Sequence, residues 1–195
     1  MKKLQYVLLI LFSTLCFSSQ TFAISRTEQI LQKANQGDAK AQFMVADLYY
    51  TGKLGPKNDK KAIEYYQKAA NQGYAEAEYA LGDMYYRGYG VPKNDTKAAL
   101  WFEKAANHNY AYAYISIGYL YNQGEGVPQN TQTAIKWFEK GSDAGDTGAQ
   151  MALASIYLQG KDVLKDVERS KSYLQKACTN KLQQACDILK TIDTK

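Results

Sequence analysis

The sequence contains one histidine, three cysteines and two tryptophans among 195 residues, so few of its side chains carry chemistry at neutral pH. No serine is followed three residues later by lysine, and G-x-S-x-G is absent. Neither of those patterns for positioning an activated serine is therefore present. The cysteines do not form C-x-x-C and no histidine cluster accompanies them, so neither a metal site nor a dithiol redox site is expected. Nothing implies a cofactor, and no catalytic residue is assigned. An arginine-rich cluster and aromatic nucleic-acid motifs are also missing, with lysines such as Lys57, Lys60, Lys61 and Lys68 spread through the chain. Nucleic acid is not an expected partner. The formal charge of +5, from 24 basic and 19 acidic residues, is ordinary for a soluble surface.

The one long apolar run is amino-terminal. Residues 1–23 read MKKLQYVLLILFSTLCFSSQTFA: two lysines, an apolar stretch from Tyr6 to Phe12, and Thr21 and Ala23 before a cleavage point. This is the layout of a secretory signal peptide, and its apolar core is too short for a membrane span. An uncleaved anchor is the alternative. Cys16 follows Ser13, Thr14 and Leu15 without the small residue that lipidation needs just before it. The expected mature chain is periplasmic or secreted after cleavage near Ala23, with no stable membrane insertion.

From Ala39 onward four copies align without a gap, over residues 39–74, 75–110, 111–146 and 147–182. Self-similarity at a fixed period signals stacked repeats, none of which buries its apolar face alone. In the second copy Ala77, Leu81, Gly82, Met84 and Tyr85 fall on one helical stripe, and Ala98, Trp101, Phe102, Ala105 and Ala106 on another. Between them RGYGVPKND supplies glycines for positive φ and a proline that cannot continue a helix. Each copy therefore reads as helix, turn and antiparallel helix. Gly82 shares its column with Ala46, Gly118 and Ala154, where bulk should push the pair apart. The first turn, Lys53-Leu54-Gly55-Pro56, and the fourth, Lys161-Asp162-Val163-Leu164, depart from the common pattern and should differ in shape.

Residues 25–38 resemble the second half of a copy, with Ser25 and Glu28 spaced as a capping box, and should form a cap helix. Residues 183–190 restart a first helix, with Ala185 in the column of Ala41, Ala77, Ala113 and Ala149. Residues from Thr191 on should fray. The expectation is an all-α chain, one continuous domain over 24–195, monomeric.

The repeated pattern A-x-A-x-x-x-L-G-x-x-Y-x-x-G-x-G-V, followed by K-A-x-x-W-(F/Y)-x-K-A-A, resembles the Sel-one-like repeat, a relative of the tetratricopeptide repeat. The resemblance implies an α/α superhelical solenoid whose first helices line a concave face. On that face four columns would point inward. Phe43, Asp47, Tyr50, Tyr79, Asp83, Tyr86, Tyr112, Ile115, Tyr119 and Met151 are the candidate partner-binding residues, because exposed aromatics suit protein contact. Acidic residues toward the amino-terminal half would suit a basic, aromatic-bearing ligand. Alanine at Tyr79 and Tyr86 should weaken binding with melting temperature nearly unchanged. Tyr49, Tyr85, Tyr121 and Tyr157, with Tyr65 and Tyr173, occupy helix-packing columns and read as core. His108, Asp47, Asp83 and Glu78 read as surface residues of turns and first helices.

After cleavage Cys178 and Cys186 remain, near the end of one helix and the start of the next. A short turn can bring them together, and the cysteine-rich secreted branch of the family has bridges at this spacing. A disulfide is implied, with two buried free thiols as the alternative. The functional reading is a noncatalytic, exported interaction scaffold binding a protein or peptide. One alternative is a periplasmic immunity protein neutralising a secreted toxic effector such as a lipase. Another, implied by the cysteine-rich branch, is weak β-lactamase or penicillin-binding activity.

Overall fold

The computed structural model describes residues 26–193. The expected leader at 1–23, the Ser25 end of the expected capping box, and Thr194 and Lys195 lie outside them. Among the described residues there are ten helices and no strands. They are α1 (26–35), α2 (Ala39–Thr51), α3 (Asp59–Ala70), α4 (Ala75–Arg87), α5 (Asp95–Asn107), α6 (Ala111–Gln123), α7 (Thr131–Asp143), α8 (Thr147–Gln159), α9 (Val167–Thr179) and α10 (Gln183–Asp193).

Local chemistry sets most of these boundaries. The second helix of each copy starts after Asn58, Asn94, Asn130 or Asp166, whose side chain accepts the backbone N–H of Lys61, Lys97, Thr133 or Arg169. Such a cap contributes about 1 kcal/mol. Each first helix of the copies ends on a left-handed glycine, Gly52, Gly88, Gly124 or Gly160, a conformation that side chains with Cβ resist.

The turns then diverge, as their sequences indicate. A second positive-φ glycine follows at Gly90 and Gly126, one comes later at Gly55, and none follows Gly160 before α9. At Gly126 a Cβ would lie 2.2 Å from the carbonyl carbon of Asp95, so this turn rests directly on the start of α5. The fourth turn has no such glycine. Its Asp162 Oδ2 accepts a hydrogen bond from Thr131 Oγ1 at the start of α7, at 3.0 Å.

The chain divides into two compact units, Met1–Gln72 and Gly73–Lys195. In the first, α2 packs on α3, and Ala34, Ala41 and Val45 form a core flanked by Ile30, Leu31, Tyr49 and Tyr65. In the second, each helix from α4 to α10 packs on its neighbours in sequence, and α6 also touches α8. First helices of successive repeats thus share one face. The core is distributed along this unit: one cluster centres on Phe102, Ile117 and Trp137, the next on Phe138 and Leu153, the last on Leu174 and Ala177.

The tightest helix contact lies where the sequence has glycine. A Cβ on Gly82 would stand 2.5 Å from Phe102 Cδ1, and one on Gly118 would stand 2.6 Å from Phe138 Cε1. Both phenyl rings are buried. At the carboxy-terminal end Cys178 in α9 is bonded to Cys186 in α10, with S–S 1.98 Å and Cα–Cα 4.8 Å, which resolves the choice between bridge and free thiols. Helix α10 runs past the expected end at Lys190 to Asp193. Ile188, Leu189 and Ile192 pack against Leu174, Ala177 and Ala185, so apolar burial holds the turn that sequence analysis leaves to fray.

Two outcomes follow from this packing. Gly118→Ala should lower stability by about 1 to 2 kcal/mol in urea unfolding, because overpacking against Phe138 outweighs the gain in helix propensity; stabilisation would show that the ring moves freely. Cys178→Ser should remove roughly 2 to 3 kcal/mol from the docking of α10. Hydrogen exchange should then quicken at residues 187–190 while α4 to α6 keep their protection, and uniform loss across the unit would count against local stapling.

Candidate functional site

In the first unit Phe43, Asp47 and Tyr50 are half-buried on α2. The Tyr66 hydroxyl donates to Asp47 Oδ1 at 2.5 Å, and the Phe43 ring lies 5.6 Å from that of Tyr66. Lys57 sits 4.7 Å from the centre of the Tyr50 ring. Burial first, and then the Asp47 carboxylate, push the Tyr66 hydroxyl well above the ordinary tyrosine range.

In the second unit Tyr79, Asp83, Tyr86 and Arg87 of α4 face Ser116, Tyr119, Leu120 and Gln123 of α6 across an open cleft of about 410 Å³, with Phe102 and Glu125 completing its wall. A second cleft of about 370 Å³ continues between α6 and α8, sharing Tyr119 and Gln123 and reaching Met151, Ser155 and Asp162. Seven of the ten candidate contact residues occur on helices of this unit, five of them on the walls of these clefts. The wall residues are Tyr79, Asp83, Tyr86, Tyr119 and Met151. Tyr112 lies beside Tyr79, its ring centre 6.4 Å away. Ile115 lines neither cleft; it packs against the core cluster of Phe138 and Leu153.

Three carboxylates of the candidate faces have partners within the chain. Asp47 takes the Tyr66 hydroxyl, and Asp83 Oδ1 lies 2.6 Å from Arg87 Nε. Glu125 Oε2 accepts from the Tyr86 hydroxyl at 3.2 Å. Arg87, Gln123 and Glu125 were not singled out from sequence, since their columns hold different residues in other copies. Only the Asp83–Arg87 spacing of four on one helix gave a readable signal.

Aromatic rings elsewhere in the chain carry cations of their own. Lys68, Lys104, Lys140 and Lys176 lie over Tyr65, Trp101, Trp137 and Tyr173, at 4.6, 4.1, 4.4 and 5.2 Å from the ring centres. Lys61, Lys97 and Arg169 similarly cover Tyr49, Tyr85 and Tyr157. These columns are not closed core throughout: Tyr157 is buried, whereas Tyr49, Tyr85, Tyr121, Tyr65 and Tyr173 are half-buried. Burial and the nearby Glu139 raise the Tyr173 hydroxyl to about 12. Among the described residues Tyr79, Tyr110, Tyr112 and Tyr119 have no such cation.

Glu78 and His108 differ most from their sequence reading. Glu78 is 2% exposed, and its Oε2 lies 2.7 Å from Nδ1 of the half-exposed His108. The equivalent places hold Gln42 with Gln72, where Gln72 Nε2 donates to Gln42 Oε1 at 2.8 Å, and Gln150 with Asn180, where Asn180 Nδ2 donates to Gln150 Oε1 at 3.3 Å. Amide pairs cannot do acid–base chemistry. The shared geometry gives Glu78–His108 the same structural place as these amide pairs, a polar tie from the end of the second helix to the first. His108→Ala should cost about 1 to 3 kcal/mol by leaving a buried carboxylate without its partner. Glu78→Gln in the His108→Ala background should recover most of that loss in a thermal-denaturation double-mutant cycle; strict additivity would show that the two groups are uncoupled. Tyr79 also requires revision. Its ring packs 5.3 Å from Phe102, so Tyr79→Ala removes core packing and does not leave the melting temperature unchanged.

No curated protein matches the chain. Among solved structures it is similar to c5321, a protective antigen of uropathogenic Escherichia coli strains displaying an SLR fold, with 32% identity and TM-score 0.79 over 84% of this chain and 35% of that one. It is similar also to a Sel1 repeat protein from Oxalobacter formigenes, with 34% identity and TM-score 0.72 over 84% of this chain and 65% of the other. The chain thus spans less than two thirds of either relative. Likeness to the immunity protein Pa5087 from Pseudomonas aeruginosa, at 24% identity and TM-score 0.50 over 82% of this chain and 59% of that one, is one of fold alone. A family model described as Sel1 repeat matches residues 39–74, 75–110, 111–146 and 147–182, and by that match the chain belongs to the Sel1 repeat family.

Proposed function

We propose that the mature chain is a noncatalytic, exported interaction module that holds a segment of another protein on the first-helix face of its Gly73–Lys195 unit. Sel1 repeats typically mediate contacts between proteins, on a scaffold that is generally noncatalytic. The observation that carries the reading is the convergence of Tyr79, Asp83, Tyr86 and Tyr119 on one open cleft, beside which Tyr112 and Tyr119 are 63% and 44% exposed. Rings in this state offer large contact area at low entropic cost, with a hydroxyl that stays satisfied in water or in a complex. Met151 extends the surface into the second cleft, Ile115 supports it from beneath, and Phe43, Asp47 and Tyr50 are proposed as contacts of the first unit.

Export rests on the leader read at 1–23. The bond between Cys178 and Cys186 is compatible with an oxidising compartment, and no helix among the described residues is long and apolar enough to cross a membrane. The same residues hold no cluster of three or more metal-ligating side chains. An immunity role would use the same face against a toxic effector. The resemblance to Pa5087 is too distant to favour it over an adaptor.

Selection of random peptides on the immobilised, oxidised chain tests the reading. Tyr86→Asn and Tyr119→Ser put into the cleft the residues found at the same columns as Asn122 and Ser155, so the fold should be kept. Selected peptides should bind the wild-type chain and lose at least about tenfold in affinity for the double variant, a size consistent with losing two exposed aromatic contacts of roughly 1 kcal/mol each. Equal binding to both proteins, or no enrichment at all, would overturn the assignment.

A further inference from the structure

Three tyrosines meet at the amino-terminal ends of α4 and α6. Ring centres of Tyr79 and Tyr110 are 5.2 Å apart, those of Tyr110 and Tyr112 5.5 Å, and those of Tyr79 and Tyr112 6.4 Å, all tilted. Among the described residues Tyr112 is the most exposed large apolar side chain after Leu164. Glu76, in the first turn of α4, stands three residues before Tyr79 and so on the same side of the helix; burial and next this carboxylate push the Tyr110 hydroxyl above its ordinary value.

The rest of the chain shows what these rings lack. Many other rings of the chain carry a lysine or arginine of their own, as at Tyr85 and Trp101 and, on the same face, at Tyr86. The π-face of a phenol or indole attracts a cation by its quadrupole, more strongly as water is excluded. Around Tyr79, Tyr110 and Tyr112 no lysine or arginine among the described residues plays that part, while a carboxylate is present instead. Ring faces and negative charge together fit a planar cation better than a compact one: a guanidinium stacks flat on a ring and keeps its edge N–H groups for a carboxylate.

We propose that the Tyr79–Tyr110–Tyr112 cluster, with Glu76, receives an arginine side chain of the partner protein. The proposal rests on the reading of this face as the partner-binding surface and names the chemistry at one end of it. Tyr79 belongs to both the cluster and the cleft wall, so a bound segment would place its arginine here and continue toward Tyr86 and Tyr119. Asp83 does not compete for it, being paired with Arg87.

The test uses the full mature chain with ring-labelled tyrosine, titrated with acetyl-Gly-Arg-Gly-amide and with the same peptide carrying citrulline, which keeps the shape and loses the charge. Saturable shifts of the Tyr112 ring signals are expected with the arginine peptide, and binding of the citrulline peptide should be at least about fivefold weaker, as one cation–π contact implies. Tyr112→Leu and Glu76→Gln should each weaken the arginine peptide, and Tyr112→Phe should restore it, with helical circular dichroism unchanged throughout. Equal response to both peptides, shifts confined to other tyrosines, or indifference to Tyr112→Leu would overturn the proposal. The broader reading is separable from it: if peptides selected on the chain need Tyr86 and Tyr119 but carry no arginine and ignore Tyr112→Leu, the binding face stands and the arginine site falls.

Discussion

A phenyl ring laid against a glycine is the contact on which the two central helical pairs rest. Phe102 covers Gly82 and Phe138 covers Gly118, with no room for a Cβ at either glycine. Close approach there buries Leu81, Ile117 and Phe138 fully and fixes how the first helix is rotated about its own axis. Columns flanking the glycine on one side enter the core; those on the other emerge on the first-helix face. The exposure of Tyr112 and Tyr119, and the cleft between α4 and α6, are consequences of that rotation. In the outer copies the column holds Ala46 and Ala154, and its partner column Tyr66 and Leu174. In the fourth copy Ala154 and Leu174 share a buried cluster.

The two sides of the helical pairs differ in how they treat aromatic rings. On the packing columns the long stems of Lys68, Lys104, Lys140 and Lys176 lie over rings and hold their charges at the surface. Each of these four lysines has an aromatic ring as its local partner. On the first-helix face the pattern is broken in part: Lys57 and Lys93 lie over Tyr50 and Tyr86, while among the described residues Tyr79, Tyr112 and Tyr119, with Tyr110 at the start of α6, have no such cation. A surface that is covered in some columns and bare in others of the same repeat is a more specific sign of a binding face than aromatic content alone.

Features coded by neighbouring residues were readable in the sequence. Period, helix pairing and the glycine turns depend on a few adjacent positions and recur in register; the caps at Asn58, Asn94, Asn130 and Asp166 are equally local and were not singled out. Features that depend on distant partners were not. Glu78 shares a column with Gln42, Tyr114 and Gln150, a mixture that reads as surface, yet each is buried because a residue about one helical hairpin later, or the end of the preceding helix, supplies its hydrogen bond. The engagement of Asp47 by Tyr66 has the same origin. Helix α10 extends past Lys190 because Ile192 finds an apolar neighbourhood that no local pattern announces. On the candidate face the pairing of Asp83 with Arg87 compensates one carboxylate, while Glu125 accepts from the Tyr86 hydroxyl, which leaves its charge in place; the Tyr86–Glu125 contact is announced by no local pattern.

The central claim is that partners meet the first-helix face and not the helix-packing columns over which Lys68, Lys97, Lys104, Lys140 and Lys176 lie. Photo-crosslinking in living cells tests it most directly, with a benzophenone amino acid placed singly at Tyr112, Tyr119, Tyr85 or Trp101 in the full-length chain. Discrete crosslinked species are expected from positions 112 and 119 and not from 85 or 101. Crosslinks arising from the lysine-covered positions, with none from the first-helix face, would contradict the account.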